Sequence, residues 1–309
     1  MKKSITLLLF IFLGLSCSTN NDSNGNSTTT VVPIAPTNLA GTVVSTSQIN
    51  LSWIDNSTNE TGFKIERKTG TGNYVLVGTV NSNVLIFSDT GLTPGTAYIY
   101  RVYSYNATGS SSYSNEVSLT TNMLIVTIGS QKWTQTNLDV THYRNGDIIP
   151  QVTDLAQWES LTTGAWCYYN NDPLNNTIYG KLYNWYAVND PRGLAPIGYH
   201  IPSDSEWATL ITYLGGEQVA GGKLKTTGTS LWQSPNTGAT NTTNFTALPG
   251  GYRIVNGTFN YIGKTGCWWS STEVNATNAW TYDLFNNSSI CYRDNLNKPS
   301  GFSVRCIKD

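Results

Sequence analysis

Histidine and cysteine could do chemistry in this chain, but both are scarce: two His and five Cys in 309 residues. Neither His142 nor His200 lies beside a Cys or an acidic residue at a metal-ligand spacing, so a zinc site is not indicated. The sequence contains no Gly-x-Ser-x-Gly nucleophile elbow. We therefore predict no catalytic residue and no enzymatic activity.

Cys17 stands at the end of a targeting segment. Lys2 and Lys3 precede an apolar stretch, residues 5–15, that is too short to span a bilayer. A small residue, Ser16, then comes directly before Cys17. The pattern predicts a lipoprotein signal peptide over residues 1–16, with Cys17 as the lipidated first residue; an ordinary secretory signal is the alternative. Residues 17–32 are polar and predict a disordered tether.

The remaining four cysteines, Cys167, Cys267, Cys291 and Cys306, all lie in the second half of the chain. An even number of cysteines in an exported protein predicts structural disulfides, and three pairings are open. Redox or copper chemistry by a thiol pair is the alternative, but no local motif marks such a pair.

One loop carries enough oxygen atoms to suggest a cation. Residues 170–176 are rich in Asn and contain Asp172, which with amide carbonyls could hold Ca²⁺. The alternative is an ordinary Asn/Asp turn. We expect no other cofactor.

Composition narrows the class of partner. Charged residues are 12% of the chain and the net charge is −1, so no basic patch is available for nucleic acid. Nine of the ten tryptophans lie beyond residue 122. Aromatic faces with Asn side chains suit sugars, although most of these rings are expected in the core.

Residues 33–121 predict an all-β domain. Ile49, Leu51 and Trp53 alternate with polar residues, as in a half-buried strand. The run Gly-Leu-Thr-Pro-Gly-Thr-Ala-Tyr at 91–98 resembles a fibronectin type III domain, a seven-strand sandwich in which Tyr98 would form the tyrosine corner. We predict a rigid spacer, with ligand binding as the alternative.

Residues 123–309 predict a domain of mixed structure. Two hairpins are expected, over residues 124–136 and 252–262, the second around Asn256-Gly257. Ser203 and Glu206 form a capping-box pattern that begins a helix, and two shorter helices are expected over 154–161 and 180–188. Four short strands are expected near the C-terminal end, over residues 268–272, 279–284, 290–293 and 302–307.

A series of ordered motifs in this second domain resembles the Fibrobacter succinogenes major paralogous domain, a bacterial surface module. The motifs include Gly-Cys-Trp-Trp-Ser-Ser at 266–271 and the closing Gly-Phe-Ser-Val-Arg-Cys at 301–306. The resemblance implies an α+β fold related to the C-type-lectin-like and formylglycine-generating-enzyme-like folds. The chain as a whole is then multidomain, with an all-β sandwich followed by this α+β domain.

The resemblance also leads to the predicted disulfides and ligand residues. We predict Cys267–Cys291 from neighbouring strands of the expected sheet, which leaves Cys167–Cys306 in two recurrent family motifs. Lectin-like domains present ligands on loops after the Trp-Trp signature. The ligand-binding residues predicted here are therefore Glu273, Asn275, Asn278, Asn286 and Asn287.

Together these features predict a cell-envelope protein, attached to the outer membrane or cell surface only by its lipid anchor. Its function would be binding or adhesion to glycan or to another surface protein. One alternative is a polysaccharide-acting enzyme, which needs two carboxyls facing one another. The candidates for that pair, by composition alone, are Asp139, Asp147, Asp172, Asp204, Glu206 and Asp283. The other alternative is a purely structural envelope protein.

Overall fold

The computed structural model of the chain describes residues 31–70 and 72–309. The predicted signal peptide, Cys17 and nearly all of the predicted tether lie outside the described residues. Within the described part of the chain, no helix has the length and apolar character needed to cross a membrane.

The first domain is a sandwich of two antiparallel sheets. Its strands are β1 (Thr37–Val43), β2 (Gln48–Ile54), β3 (Gly62–Thr69), β4 (Val75–Asn81), β5 (Ile86–Thr90), β6 (Ala97–Asn106), β7 (Gly109–Ser110) and β8 (Val117–Thr120). One sheet has the order β1-β2-β5, and the other has the order β4-β3-β6-β7 with β8 also paired to β6.

The inward residues of these strands form the first domain's core, because alternate side chains point to one face of a strand. Trp53 is 4% exposed, and its ring centroid lies 5.5 Å from that of Phe63. The Tyr98 hydroxyl accepts a hydrogen bond from the Thr93 amide at 2.9 Å, which confirms the predicted tyrosine corner.

The second domain is mostly β with few helices. Its strands are β9 (Ile125–Ile128), β10 (Gln131–Thr134), β11 (Trp166–Cys167), β12 (Leu182–Tyr183), β13 (Tyr199–His200), β14 (Tyr252–Arg253), β15 (Phe259–Asn260), β16 (Thr265–Glu273), β17 (Asn278–Phe285), β18 (Cys291–Asn297) and β19 (Ile307–Lys308). Its α-helices are α1 (Leu155–Glu159), α2 (Asn176–Tyr179), α3 (Trp185–Val188), α4 (Asp204–Tyr213) and α5 (Glu217–Leu224). Two 3₁₀ turns, Tyr169–Asn171 and Pro173–Asn175, precede α2.

The central element of this domain is the antiparallel sheet β16-β17-β18, which is packed on both faces. Cys267 pairs with Asp283 across one strand boundary, and Leu284 pairs with Cys291 across the next. Asp283 and Leu284 are adjacent on β17, so their side chains point to opposite faces. One face packs on a core containing Cys267 and Trp269, and the other on a core containing Trp268 and Cys291.

This geometry corrects the predicted disulfides: Cys167, Cys267, Cys291 and Cys306 are all free thiols. Cys267 and Cys291 lie on opposite faces of the sheet with β17 between them, and a disulfide needs Cα atoms within about 7 Å. Cys167 and Cys306 belong to separate hydrophobic clusters. The cysteines therefore act as small buried apolar residues, and burial raises the pKa of each thiol.

Candidate functional site

A cavity of about 440 Å³ opens on one face of the β16-β17-β18 sheet. The strands supply one wall through side chains of the same face, and β14 with the turn after it supplies the other. The residues that line it are Tyr252, Ile254, Val255, Asn256, Thr265, Cys267, Asp283, Phe285, Asp294, Leu296, Asn297, Ser300 and Phe302. Its volume lies in the range of roughly 300–1,000 Å³ that is usual for small-molecule sites.

Asp283 is the unusual side chain of this cavity. It is 5% exposed, and its buried Oδ1 atom has no hydrogen-bond partner among the described residues. Burial away from water, assisted by the nearby Asp294, raises the pKa of this carboxyl to about 7. Cys267 and Thr281 lie close enough to lower the pKa, but neither completes a hydrogen bond to Oδ1.

The other five candidate carboxylates are already engaged. Each accepts a hydrogen bond from a cation, an amide or a hydroxyl of the protein, and these contacts stabilise the fold. The pairs are Asp139 with Lys181, Asp147 with Arg192, Asp172 with the Leu174 amide, Asp204 with Arg293 and Tyr282, and Glu206 with Ser203 and His200. Asp283 alone among the six has a buried oxygen that lacks a partner within the described residues.

Asp294 is a second carboxyl of the cavity, and the sequence reasoning missed it. The pairs Asp283–Tyr292 and Thr281–Asp294 place Asp283 and Asp294 on one face as diagonal neighbours. The Cα atoms of diagonal neighbours lie roughly 7–8 Å apart. Asp294 is exposed at the cavity mouth, whereas Asp283 is buried at its wall.

Aromatic rings form the apolar part of the wall. Tyr252 and Phe302 are in T-shaped contact with centroids 5.6 Å apart, and Phe302 also contacts Trp269. Tyr261 is exposed beside Tyr252, with ring centroids 5.8 Å apart. Burial is the main cause that raises the pKa of Tyr252 to about 12, so its hydroxyl stays protonated and can donate.

The predicted ligand-binding residues fall into two groups that the structure does not bring together. Glu273, Asn275 and Asn278 lie at the hairpin tip where β17 begins, and Asn286 and Asn287 follow its far end. None of the five lines the cavity. Asn278 reaches the cavity's rim by accepting a hydrogen bond from Asn297 at 3.0 Å.

Several of these side chains make hydrogen bonds or ion pairs that stabilise the fold. Asn275 Oδ1 accepts bonds from the Thr277 amide, the Thr277 hydroxyl and the Asn278 amide. Asn286 donates to the backbone carbonyls of Gln233 and Ser234. Glu273 pairs with the buried ammonium of Lys298 at 2.8 Å.

The loop of residues 170–176 is also held by its own hydrogen bonds. Asp172 caps the second 3₁₀ turn, Asn171 donates to the Thr153 carbonyl, and Asn175 donates to the Tyr169 carbonyl. No group of three or more His, Cys, Asp or Glu that could hold a metal ion occurs in the described parts of the chain.

A further polar cluster surrounds His200. Its Nδ1 lies 2.7 Å from Asp309 and its Nε2 lies 2.8 Å from Glu206, and these contacts outweigh burial and raise the histidine pKa. Glu206 at the same time completes the α4 capping box. Both carboxylates are therefore committed to the imidazole and the helix end.

The family signatures hold the core of the second domain. Arg305 is fully buried and donates to Asn137 and to the carbonyls of Thr134, Phe245 and Thr246. Trp268 donates to the same Asn137 oxygen at 2.8 Å. These residues are structural, and Asp283 is not part of their hydrogen-bond network.

Two curated relatives match parts of the chain. An alpha-amylase of Niallia circulans is 39% identical over 95 residues, which are 30% of this chain and 7% of the relative. Chitinase A1 of Niallia circulans is 34% identical over 149 residues, which are 44% of this chain and 20% of the relative. The chain thus spans a fifth or less of the length of either relative.

Among solved structures, the FN5 domain of Drosophila Lar is 23% identical, with 29% of this chain and 98% of that chain covered and a TM-score of 0.26. The fibronectin type III family model matches residues 34–120. The model of the Fibrobacter succinogenes major domain matches residues 126–308, which is more than half of the sequence. The chain therefore belongs to the Fibrobacter succinogenes major domain family, with a fibronectin type III domain preceding that domain.

Proposed function

We propose that this protein binds carbohydrate at the cell envelope, through the cavity that contains Asp283. The observation that carries the proposal is Asp283, whose side chain lines a cavity walled by aromatic rings, is only 5% exposed, and has one oxygen without a hydrogen-bond partner among the described residues. An unpaired buried oxygen costs about 1–3 kcal/mol, and a sugar hydroxyl that donates to this carboxyl from the cavity would offset part of that cost.

The rest of the cavity suits the two kinds of surface that a sugar presents. Tyr252 and Phe285, which are half-buried, offer apolar area to the C–H face of a pyranose ring, while Asn256 and Asn297 offer polar atoms to its hydroxyls. The names of the two Niallia circulans relatives, an amylase and a chitinase, support a carbohydrate ligand.

The other parts of the chain have roles consistent with display at a surface. In this proposal Cys17 carries the lipid anchor, the fibronectin type III domain is a spacer, and the second domain has a lectin-like fold that performs the binding. A purely structural role is less well supported, because it leaves the cavity and the unpaired Asp283 without an explanation.

A glycan array tests the binding proposal. The purified protein should bind one or more oligosaccharides, with and without Ca²⁺, and Asp283→Asn should weaken that binding at least tenfold. Glu159→Gln is the matched control, because Glu159 is exposed and does not line the cavity. Absence of binding to every glycan, with the protein folded, would refute the proposal.

A second candidate function is hydrolysis of a polysaccharide. Asp283, with its pKa raised to about 7, has the character of a general acid, and the exposed Asp294 that of a base or nucleophile. Both residues lie on one face of the sheet and line the same cavity, as the two carboxyls of a glycosidase must. Release of reducing ends from a bound oligosaccharide, lost in both Asp283→Asn and Asp294→Asn, would support this candidate over binding alone.

A further inference from the structure

The cavity lining is acidic, which bears on the charge of the ligand if the cavity binds carbohydrate as proposed above. The lining contains two carboxyls, Asp283 and Asp294, and no Lys, Arg or His. The titratable groups near Asp283 are Cys267 on β16, Tyr252 on β14 and Asp294 on β18, together with Cys291 on the opposite sheet face. None of these groups can supply a positive charge.

We propose that the cavity takes a cationic ligand, namely a sugar unit that carries a free, protonated amine, with the ammonium placed against Asp283. Asp283 is nearly buried and its side chain lines the cavity, so the part of the carboxyl that faces the cavity defines where the ammonium would sit. An ammonium provides three N–H donors as well as the missing countercharge, whereas a hydroxyl provides one donor and no charge.

The aromatic wall favours the same ligand. Tyr252, Phe285 and Phe302 line the cavity together with Asp283, and the faces of aromatic rings attract cations. Elsewhere in the second domain, buried ammonium groups already lie near aromatic rings. Lys298 Nζ is 4.5 Å from the Trp185 ring centroid and pairs with Glu273, and Lys181 is near Trp166 and pairs with Asp139. The cavity presents the carboxyl and the rings without the cation.

Ionisation explains why the free protein tolerates such a site. Without a ligand, the buried carboxyl of Asp283 holds a proton up to about pH 7, so no bare charge is buried at lower pH. Binding of an ammonium stabilises the ionised carboxylate, and its proton is released to the solvent. The affinity should therefore increase as the pH rises towards 7 and decrease once the ligand amine loses its own proton.

Isothermal titration calorimetry tests this inference with three tetrasaccharides: one of glucosamine, one of N-acetylglucosamine and one of glucose. We expect the glucosamine tetramer to bind at least tenfold more tightly than either neutral tetramer. At pH 6.5, measurements in buffers of different ionisation heats should show proton release on binding. Asp283→Asn should abolish both the preference and the proton release, and Asp294→Asn should weaken the preference; Glu159→Gln should change neither.

Benzylamine, an amine without a sugar, separates this inference from the proposed function. Equal binding of all three tetramers, with no effect of Asp283→Asn on the preference, would overturn the cationic ligand and leave carbohydrate binding intact. Binding of benzylamine that depends on Asp283, with no tetramer bound, would support the ammonium site and overturn the carbohydrate. Failure of benzylamine and all three tetramers to bind the folded protein would overturn the ammonium site.

Discussion

Buried cations satisfied by backbone carbonyls are the main residue-scale feature of the second domain. Arg253 donates to the carbonyls of Gly257, Val152, Thr153 and Asp154. Lys225 donates to three carbonyls at 2.7–3.0 Å, and its burial lowers its pKa to about 8. Each of these side chains joins segments that are distant in sequence, so they replace long regular elements in organising this domain.

Arg305 provides a direct test of this role. Arg305→Lys retains the charge but has one nitrogen in place of the guanidinium fork, so it cannot reach Asn137 and all three carbonyls. We expect a loss of at least about 3 kcal/mol in the free energy of unfolding, measured by urea denaturation. The exposed control Arg192→Lys should lose less than about 1 kcal/mol. Equal losses in the two variants would contradict the structural role.

Asp283 should give the protein a characteristic pH dependence of stability. Its pKa is raised in the folded state from 3.8 to about 7, so between these values the native state binds more protons than the unfolded state. Stability should therefore fall as the pH rises from 4 to 7. Asp283→Asn removes this penalty and should gain up to roughly 4 kcal/mol relative to the wild type between pH 4 and pH 8.

Urea denaturation at pH 4, 6 and 8 measures this effect. The stability difference between Asp283→Asn and the wild type should increase with pH, while Glu159→Gln should show no such trend. Parallel pH profiles of the Asp283→Asn variant and the wild type would mean that the carboxyl is ionised and solvated in the folded protein.

At the scale of elements, the hairpin tip between β16 and β17 depends on one side chain. Asn275 accepts three hydrogen bonds within the turn. Asn275→Ala should therefore lower stability by about 1 kcal/mol, seen as a lower melting temperature. Asn287→Ala is the control, because Asn287 is exposed after the far end of β17. A melting temperature unchanged by Asn275→Ala would show that the turn forms without its side chain.

Sequence patterns predicted those helices and strands that are determined by residues close together in the chain. The capping box of Ser203 and Glu206 correctly marked the start of α4, and Asp154 caps α1 as its position suggested. The expected hairpins appear as β9-β10 and β14-β15, with shorter strands in the second. Of the predicted strand over residues 302–307, only Ile307 belongs to a regular strand, β19, because that segment is fixed by isolated bridges and buried side chains.

Helix α5 was not predicted, because it is stabilised by tertiary packing rather than by helix propensity. It contains Gly221 and Gly222 and follows two more glycines, which is a composition that disfavours a helix. A Cβ on Gly221 would lie 2.4 Å from the Ile290 carbonyl oxygen, and one on Gly222 would lie 2.3 Å from that of Gly238. The glycines therefore permit close backbone contact, and packing rather than propensity fixes this helix.

The candidate site was predicted only in part for the same reason. Asp283 was recognised only as one of six carboxylates, although an acidic residue inside the apolar strand Asn278–Phe285 is a usable signal. Asp294 joins it through strand register and Tyr252 from a separate two-stranded sheet, and residue spacing along the chain reveals neither. The disulfides were inferred from the even number of cysteines. Which face of the sheet each cysteine occupies depends on the strand register, which the count does not reveal.

At the scale of the whole molecule, the junction between the two domains is held from both sides. Asn122 accepts a hydrogen bond from the Gly95 amide and donates to the Ser45 carbonyl, both in the first domain. The next residue, Met123, is 8% exposed and belongs to the hydrophobic core of the second domain. A Cβ on Gly95 would lie 3.2 Å from the Met123 side chain, so that side chain is in contact with both domains.

Met123→Ser should therefore loosen the junction while both domains stay folded. Burial of a methionine side chain is worth roughly 1.5–3 kcal/mol, and its loss removes the apolar contact that orders the connection. We expect faster proteolytic cleavage near residues 121–124 and a larger radius of gyration by small-angle X-ray scattering. Met123→Leu, which conserves volume, is the control and should resemble the wild type. If Met123→Ser is cleaved no faster than Met123→Leu, the hydrogen bonds of Asn122 are sufficient to fix the connection without this side chain.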